Sequence, residues 1–152
     1  MVVPYVACMA LVASLYHLPP RVLPSIQAVE GGQPGVLHHN SDGTLDVGVM
    51  QINTRWLGPL SRYTGTPPTE VFLRLRYRPC YNIAASGAIM RTYLDEAHGN
   101  LLLAVGYYHS HTIELNLAYR RQVLNSARML FMRPGRTDRL RYASHEASVP
   151  PG

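Results

Sequence analysis

Apolar residues recur at helical spacing through most of the first 132 positions. Cys8, Leu11, Val12 and Leu15 fall at i, i+3, i+4 and i+7, which predicts a first helix with one apolar face, ending near His17. Leu18-Pro19-Pro20 breaks it. Val22, Ile26 and Val29 then make the buried stripe of a second helix, with Leu23 and Glu30 on an adjacent row. Pro24 is tolerable there only in the first turn, so a late or kinked start is expected, and Gly31-Gly32 supplies a left-handed exit. Residues 33–45 are rich in Gly, Pro, Asn, Asp and His, and Ser41-Asp42-Gly43-Thr44 is a turn signal. A small irregular β-hairpin around residues 37–47 is expected here, as the only sheet. Residues 47–63 read as helix with a break at Gly58-Pro59. Three further helices follow at about 68–75, 79–97 and 101–107, and a final one at about 113–132. From Arg133 the chain is rich in Arg, Pro and Gly, and residues 133–152 read as a mobile tail. The expectation is a mainly α fold: one helical domain over residues 1–132, carrying the hairpin, followed by the tail.

Composition agrees with one folded domain. The chain has 152 residues, 47% of them hydrophobic and 15% charged, enough to bury a real core. Its formal net charge of +5 rests wholly on Arg, because there is no Lys. That charge favours acidic partners such as cell-wall polymers, nucleic acid or an anionic membrane surface, without choosing among them. The Arg residues cluster in the last helix and tail without a recognised module, which argues against nucleic acid. No apolar run reaches the length of a membrane span. Residues 1–18 are apolar, yet they lack a basic n-region and an A-x-A site, so they are expected to belong to the mature protein. Cys8 and Cys80 are either two buried thiols or one disulfide closing a long loop, and their spacing leaves both readings open.

Candidate chemistry gathers in residues 25–56. Glu30 closes a buried helix at its C-terminal end, where both the helix dipole and desolvation disfavour a carboxylate and raise its pKa. A glutamic acid protonated near neutral pH is the general acid that glycosidic cleavage needs. A Glu at that position pointing into solvent is the plainer alternative. Asp46, sixteen residues on (46 − 30), is either a second carboxylate across a groove or a turn residue bonded to local backbone. Gly48-Val-Met50-Gln51 offers an amide wall to a ligand. Tyr107-Tyr108-His109-Ser110 offers a phenol and an aromatic face, although paired aromatics more often fill cores. The offsets in residues 40–51 do not fit a calcium loop. His38-His39 and His109-x-His111 lack ligand partners at metal spacing, so neither a metal nor a cofactor is expected.

Four segments together carry a resemblance: Glu30-Gly-Gly, Asn40-Ser-Asp-Gly-Thr-Leu-Asp-Val-Gly-Val-Met-Gln-Ile-Asn-Thr-Arg-Trp56, Pro79-Cys-Tyr-Asn-Ile83 and Ala104-Val-Gly-Tyr-Tyr-His-Ser110. They resemble lytic transglycosylases of the lysozyme-like superfamily, above all the small ones that serve conjugation, pilus and type III or IV secretion machines. The likeness runs over residues 8–132. It implies an α+β lysozyme-like fold with Glu30 as the single catalytic acid and base. Met50 and Gln51 would form a groove wall, Tyr107 and Tyr108 would contact substrate, and Tyr108 would lie near the acid. It implies a Cys8–Cys80 disulfide and a periplasmic or cell-envelope location. The partners it implies are peptidoglycan strands and components of a secretion or conjugation machine. Gly31 stands where the family has Ser, and His109 where it has Asn. The run from Asp42 to Asn53 also looks like animal-type lysozyme, in which an aspartate at the place of Asp46 works with the glutamate. The expected activity is thus cleavage of the MurNAc–GlcNAc β-1,4 bond with formation of a 1,6-anhydro ring. A lysozyme-type hydrolase using Glu30 and Asp46 is the alternative, and a non-catalytic glycan-binding assembly subunit is a second.

Overall fold

The computed structural model describes residues 2–132, so the expected tail at 133–152 lies outside the described residues. The chain is mainly helical with a small antiparallel sheet, as its apolar spacing predicts. Two helices come first, α1 (Val6–Leu15) and α2 (Val22–Glu30). A three-stranded sheet follows: β1 (Leu37–His39), β2 (Leu45–Val47) and β3 (Ile52–Asn53), in the order β1-β2-β3. A 3-10 turn (Thr54–Trp56) leads into α3 (Leu57–Thr64), α4 (Pro68–Tyr77), α5 (Pro79–Glu96), α6 (Leu101–His109) and α7 (Ile113–Phe131). Helix α5 is the central rod, packed against α1, α2, α4 and α6, while α7 lies across α2 and α6.

Helix α1 forms, but its solvent face is not the expected one. Leu11 and Leu15 are more than 60% exposed, whereas Met9, Val12 and Ala13 are buried. Both sets have helical spacing, so the helix alone does not choose between them. Gly87 on α5 makes the choice. A Cβ there would sit 2.3 Å from Val12 Cγ1 and 3.0 Å from Tyr16 Cδ2, so only glycine lets α1 nestle this way. Cys8 at the start of α1 is bonded to Cys80 in the first turn of α5, with Cα atoms 5.5 Å apart. Pro24 falls in the first turn of α2, where its missing N–H has no partner to lose. Gly31 ends that helix at φ 63°, its N–H donating to the Gln27 carbonyl.

The larger correction concerns residues 47–56, read from the sequence as helix. They form a tight turn, the short strand β3 and the 3-10 turn, and the helix begins only at Leu57, with Gly58 and Pro59 in its first turn. Two backbone facts exclude an α-helix there. Gly48 (φ 72°) and Gln51 (φ 50°) both adopt left-handed conformations. The turn is satisfied instead from outside by Asn82, which is fully buried on α5. Asn82 Oδ1 accepts from the Met50 N–H at 2.9 Å, and Nδ2 donates to the carbonyls of Val47 (2.8 Å) and Leu75 (2.9 Å). Gly48 has no room for a side chain, since a Cβ would lie 2.5 Å from both Asn82 Nδ2 and the Leu75 carbonyl. Gly32 is crowded likewise, since a Cβ there would lie 2.0 Å from the Gly48 carbonyl oxygen. The sheet thereby leans on the exit from α2, and the expected hairpin gains a third strand.

Two outcomes test this account. Asn82→Ala leaves three buried backbone groups unpartnered and should cost about 3 kcal/mol in urea unfolding; an unchanged midpoint would mean that water replaces the amide. The disulfide closes a sequence separation of 72 residues, which the chain-entropy view equates to about 4 kcal/mol. Reduction should accordingly lower the thermal midpoint by roughly 10 °C.

Candidate active site

Glu30 is the last residue of α2, one turn beyond the fully buried Ile26, and the left-handed step at Gly31 turns the chain away and leaves its side chain facing inward. Its Oε1 accepts a 2.6 Å hydrogen bond from the Tyr119 hydroxyl. Burial is the largest influence on the carboxyl and lifts its pKa from 4.5 to about 7; Asp46 pushes the same way, and the Tyr119 hydroxyl opposes both. Burial wins.

Tyr119 is 4% exposed and belongs to a buried face of α7 that also carries Asn116, Val123 and Ser126. Three polar contacts place that face. Ser126 Oγ donates to the Ser25 carbonyl at 2.7 Å, fastening α7 to α2. Asn116 Nδ2 reaches the carbonyls of Leu103 and Ser110 at 3.4 and 3.2 Å, fastening it to α6. Gly106 permits that approach, since a Cβ there would overlap Asn116 at 2.0 Å. The His109 ring lies flat on Tyr119, with centroids 5.0 Å apart and planes within 9°.

Glu30 opens onto a groove of about 530 Å³, whose lining includes Asp46, Gln51, Trp56, Tyr108 and His109. Asp46 stands on β2 opposite Asn53 of β3, and its Oδ1 accepts from Asn53 Nδ2 at 3.0 Å. Gln51 donates its amide nitrogen to the Gly48 carbonyl at 3.0 Å, so it is the amide oxygen that it offers the groove. Met50 is fully buried and contributes no side chain to the lining. Tyr108 lines the groove, but its hydroxyl donates to the Met50 carbonyl at 3.0 Å and so anchors the turn. Burial, and then the charge of Glu30, hold this phenol well above its ordinary pKa. Tyr107 is outside the lining, stacked on His111 with centroids 4.1 Å apart.

Glu30, Asp46, Gln51 and Tyr108, each a candidate from the sequence, thus meet in one groove, whereas sequence reasoning misses Tyr119 and Trp56. Trp56 stands inside the quoted motif without a role. Tyr119 had a readable signal: Asn116, Tyr119 and Ser126 put three polar groups on the face of α7 that must be buried. Among the described residues no group of three or more His, Cys, Asp or Glu gathers as a metal site would require. Compared with models of known protein families and with curated proteins, the sequence matches none.

A carboxyl with a raised folded-state pKa holds its proton more tightly when folded. Its contribution to stability is therefore complete below about pH 4.5 and is lost as pH rises through about 7. The full difference is at most about 3 kcal/mol. Unfolding of the wild type and of Glu30→Gln across pH 4 to 8 should show that slope in the first and not in the second. Tyr119→Phe removes the one contact that favours the carboxylate, so an NMR titration of Glu30 should move above 7; a fall would refute the assigned bond.

Proposed function

We propose that the protein is a peptidoglycan lytic transglycosylase, cleaving the MurNAc–GlcNAc β-1,4 bond. The observation that carries this reading is Glu30: a carboxyl held protonated to about pH 7, at the wall of a groove of small-ligand size, beside tyrosine and amide groups. The sequence resemblance supplies the substrate class. In the proposed reaction Glu30 donates its proton to the bridging oxygen as the C1–O4 bond breaks and positive charge develops on the MurNAc ring. The C6 hydroxyl of the same sugar then attacks C1. Its proton returns to the Glu30 carboxylate, which closes the 1,6-anhydro ring without consuming water. Tyr119 has a positioning role, because its hydroxyl holds the carboxylate between the two proton transfers. Arg55 in the lining and the net positive charge suit an acidic, peptide-bearing polymer.

One observation favours a second reading. Asp46 lines the same groove and its charge raises the pKa of Glu30, so a second carboxylate is within electrostatic reach of the acid. That is the pair a lysozyme-type hydrolase uses. The Cys8–Cys80 bond supports an oxidising compartment such as the periplasm, and no described helix is long and apolar enough to cross a membrane. Service to a secretion or conjugation machine follows from the resemblance alone.

Product masses separate the two chemistries. Digestion of purified sacculi should release anhydro-muropeptides, each lighter by one water than its reducing counterpart; reducing ends alone would make the protein a hydrolase. Glu30→Gln should lower turnover by about 10²- to 10⁴-fold. An unaffected biological role in that variant would instead indicate a glycan-binding subunit. Because the acid must be protonated, kcat/KM should fall as pH rises through about 7.

A further inference from the structure

The positive charge is unevenly placed along the chain. Residues 30–114 hold six Arg against seven Asp and Glu, so the whole excess behind the +5 lies outside them. Residues 1–29 and 115–132 carry Arg21, Arg120, Arg121 and Arg128 and no acidic residue. Residues 133–152 add four more Arg against Asp138 and Glu146. In the fold the first two of these segments meet, because α7 lies across α2. The charged residues of the groove lining, Glu30, Asp42, Asp46 and Arg55, all belong to the other part.

The outer face of α7 carries its charge in a regular stripe. Leu117, Arg121, Leu124 and Arg128 fall at i, i+4, i+7 and i+11, opposite the buried Tyr119, Val123 and Ser126, and Met132 follows one turn on. The whole stripe is exposed, and among the described residues no carboxylate pairs with Arg121 or Arg128. At its C-terminal end Leu130 helps to line a cleft of about 240 Å³, together with Val2, Val3 and Pro4 and with Pro24 of α2. The Arg21 guanidinium stands over the Phe131 ring, 5.3 Å from its centroid. Beside them Val2, Met129 and Met132 are 88%, 69% and 68% exposed. Bare apolar side chains and guanidinium groups thus share one corner of the molecule.

That combination selects among acidic partners. A soluble acidic polymer would engage the guanidinium groups alone and leave Val2, Leu124 and Met132 in water. A bilayer interface takes both, since apolar side chains enter beneath the headgroups while Arg reaches the lipid phosphates. Arg suits that role, because its planar fork bonds phosphate through two N–H groups.

We propose that the outer face of α7, with the cleft at its C-terminal end, docks the protein on the surface of an anionic phospholipid bilayer. The contact is independent of the reaction at Glu30.

Co-sedimentation of the whole chain with vesicles decides it. Phosphatidylcholine vesicles carrying roughly one-third phosphatidylglycerol should bind the protein at least about tenfold more tightly than phosphatidylcholine alone, and salt should weaken the binding. Arg121→Gln with Arg128→Gln should lower affinity about 25-fold, at about fivefold for each charge. Arg62→Gln with Arg78→Gln removes equal charge from α3 and from the junction of α4 and α5, and should change affinity less than about threefold. Leu124→Gln with Met132→Gln keeps every charge and should still lower affinity about tenfold. Equal binding to neutral vesicles overturns the proposal, as does a loss that follows net charge wherever it is removed. Binding that Leu124→Gln with Met132→Gln leaves unchanged also overturns it, and marks the face as one for soluble acidic polymers. None of these outcomes bears on the groove.

Discussion

The groove wall is held to the helical body by one buried amide. Residues 47–51 form no continuous regular element, and two of them need left-handed backbone, so the segment cannot satisfy its own polar groups as a helix would. Asn82 does so from α5, accepting from the Met50 N–H and donating to the Val47 carbonyl, with a third bond to the Leu75 carbonyl of α4, all at 2.8–2.9 Å inside a site closed to water. An amide is suited to this because one end accepts and the other donates twice. The glycines at 32 and 48 leave the space that makes those distances possible. With that contact in place, the Met50 carbonyl is presented to Tyr108, and Gln51 and the strands come to face α6.

The opposite wall obeys a different logic. Glu30 sits where a charge is disfavoured, and among the described residues no cation pairs with it. It is given one neutral donor, Tyr119, which tempers the cost of the carboxylate without removing it. A pKa of about 7 is the balance between burial, helped by the charge of Asp46, on one side and the Tyr119 hydroxyl on the other. The placement of that hydroxyl depends on α7 meeting α2 through Ser126 and Ser25, and α6 through Asn116 and Gly106. On the proposed reaction, such a group must both give and receive a proton, and a carboxyl poised near the working pH does both at small cost.

Asp46 and Trp56 give the groove its two directions. The aspartate, fixed by Asn53, marks the sheet side of the groove that Glu30 also lines. The tryptophan stands in the linings of two adjoining clefts, on the side of the groove toward α3. Neither effect is a property of one residue. Each arises because short strands and a 3-10 turn bring residues 46, 53 and 56 to the face of α5 and α6.

Much of the fold was legible from residue order. Helical spacing located six of the seven described helices within a few residues and the end of α3 but not its start, Gly31 predicted the end of α2, and Ser41-Asp42-Gly43-Thr44 predicted the hairpin turn, because these signals depend on neighbours in the chain. The unusual carboxyl was legible as well, since helix end and apolar stripe together imply burial. What remained hidden were choices between locally equivalent options. The face that α1 buries is set by a glycine some seventy-five residues away (87 − 12), and the shape of residues 47–53 by an amide on α5. The hydroxyl that reaches Glu30 is that of Tyr119 and not that of Tyr108, because α7 crosses α2 at Ser25. Local periodicity carries no information about such partners; they exist only once distant elements are packed within a few ångströms.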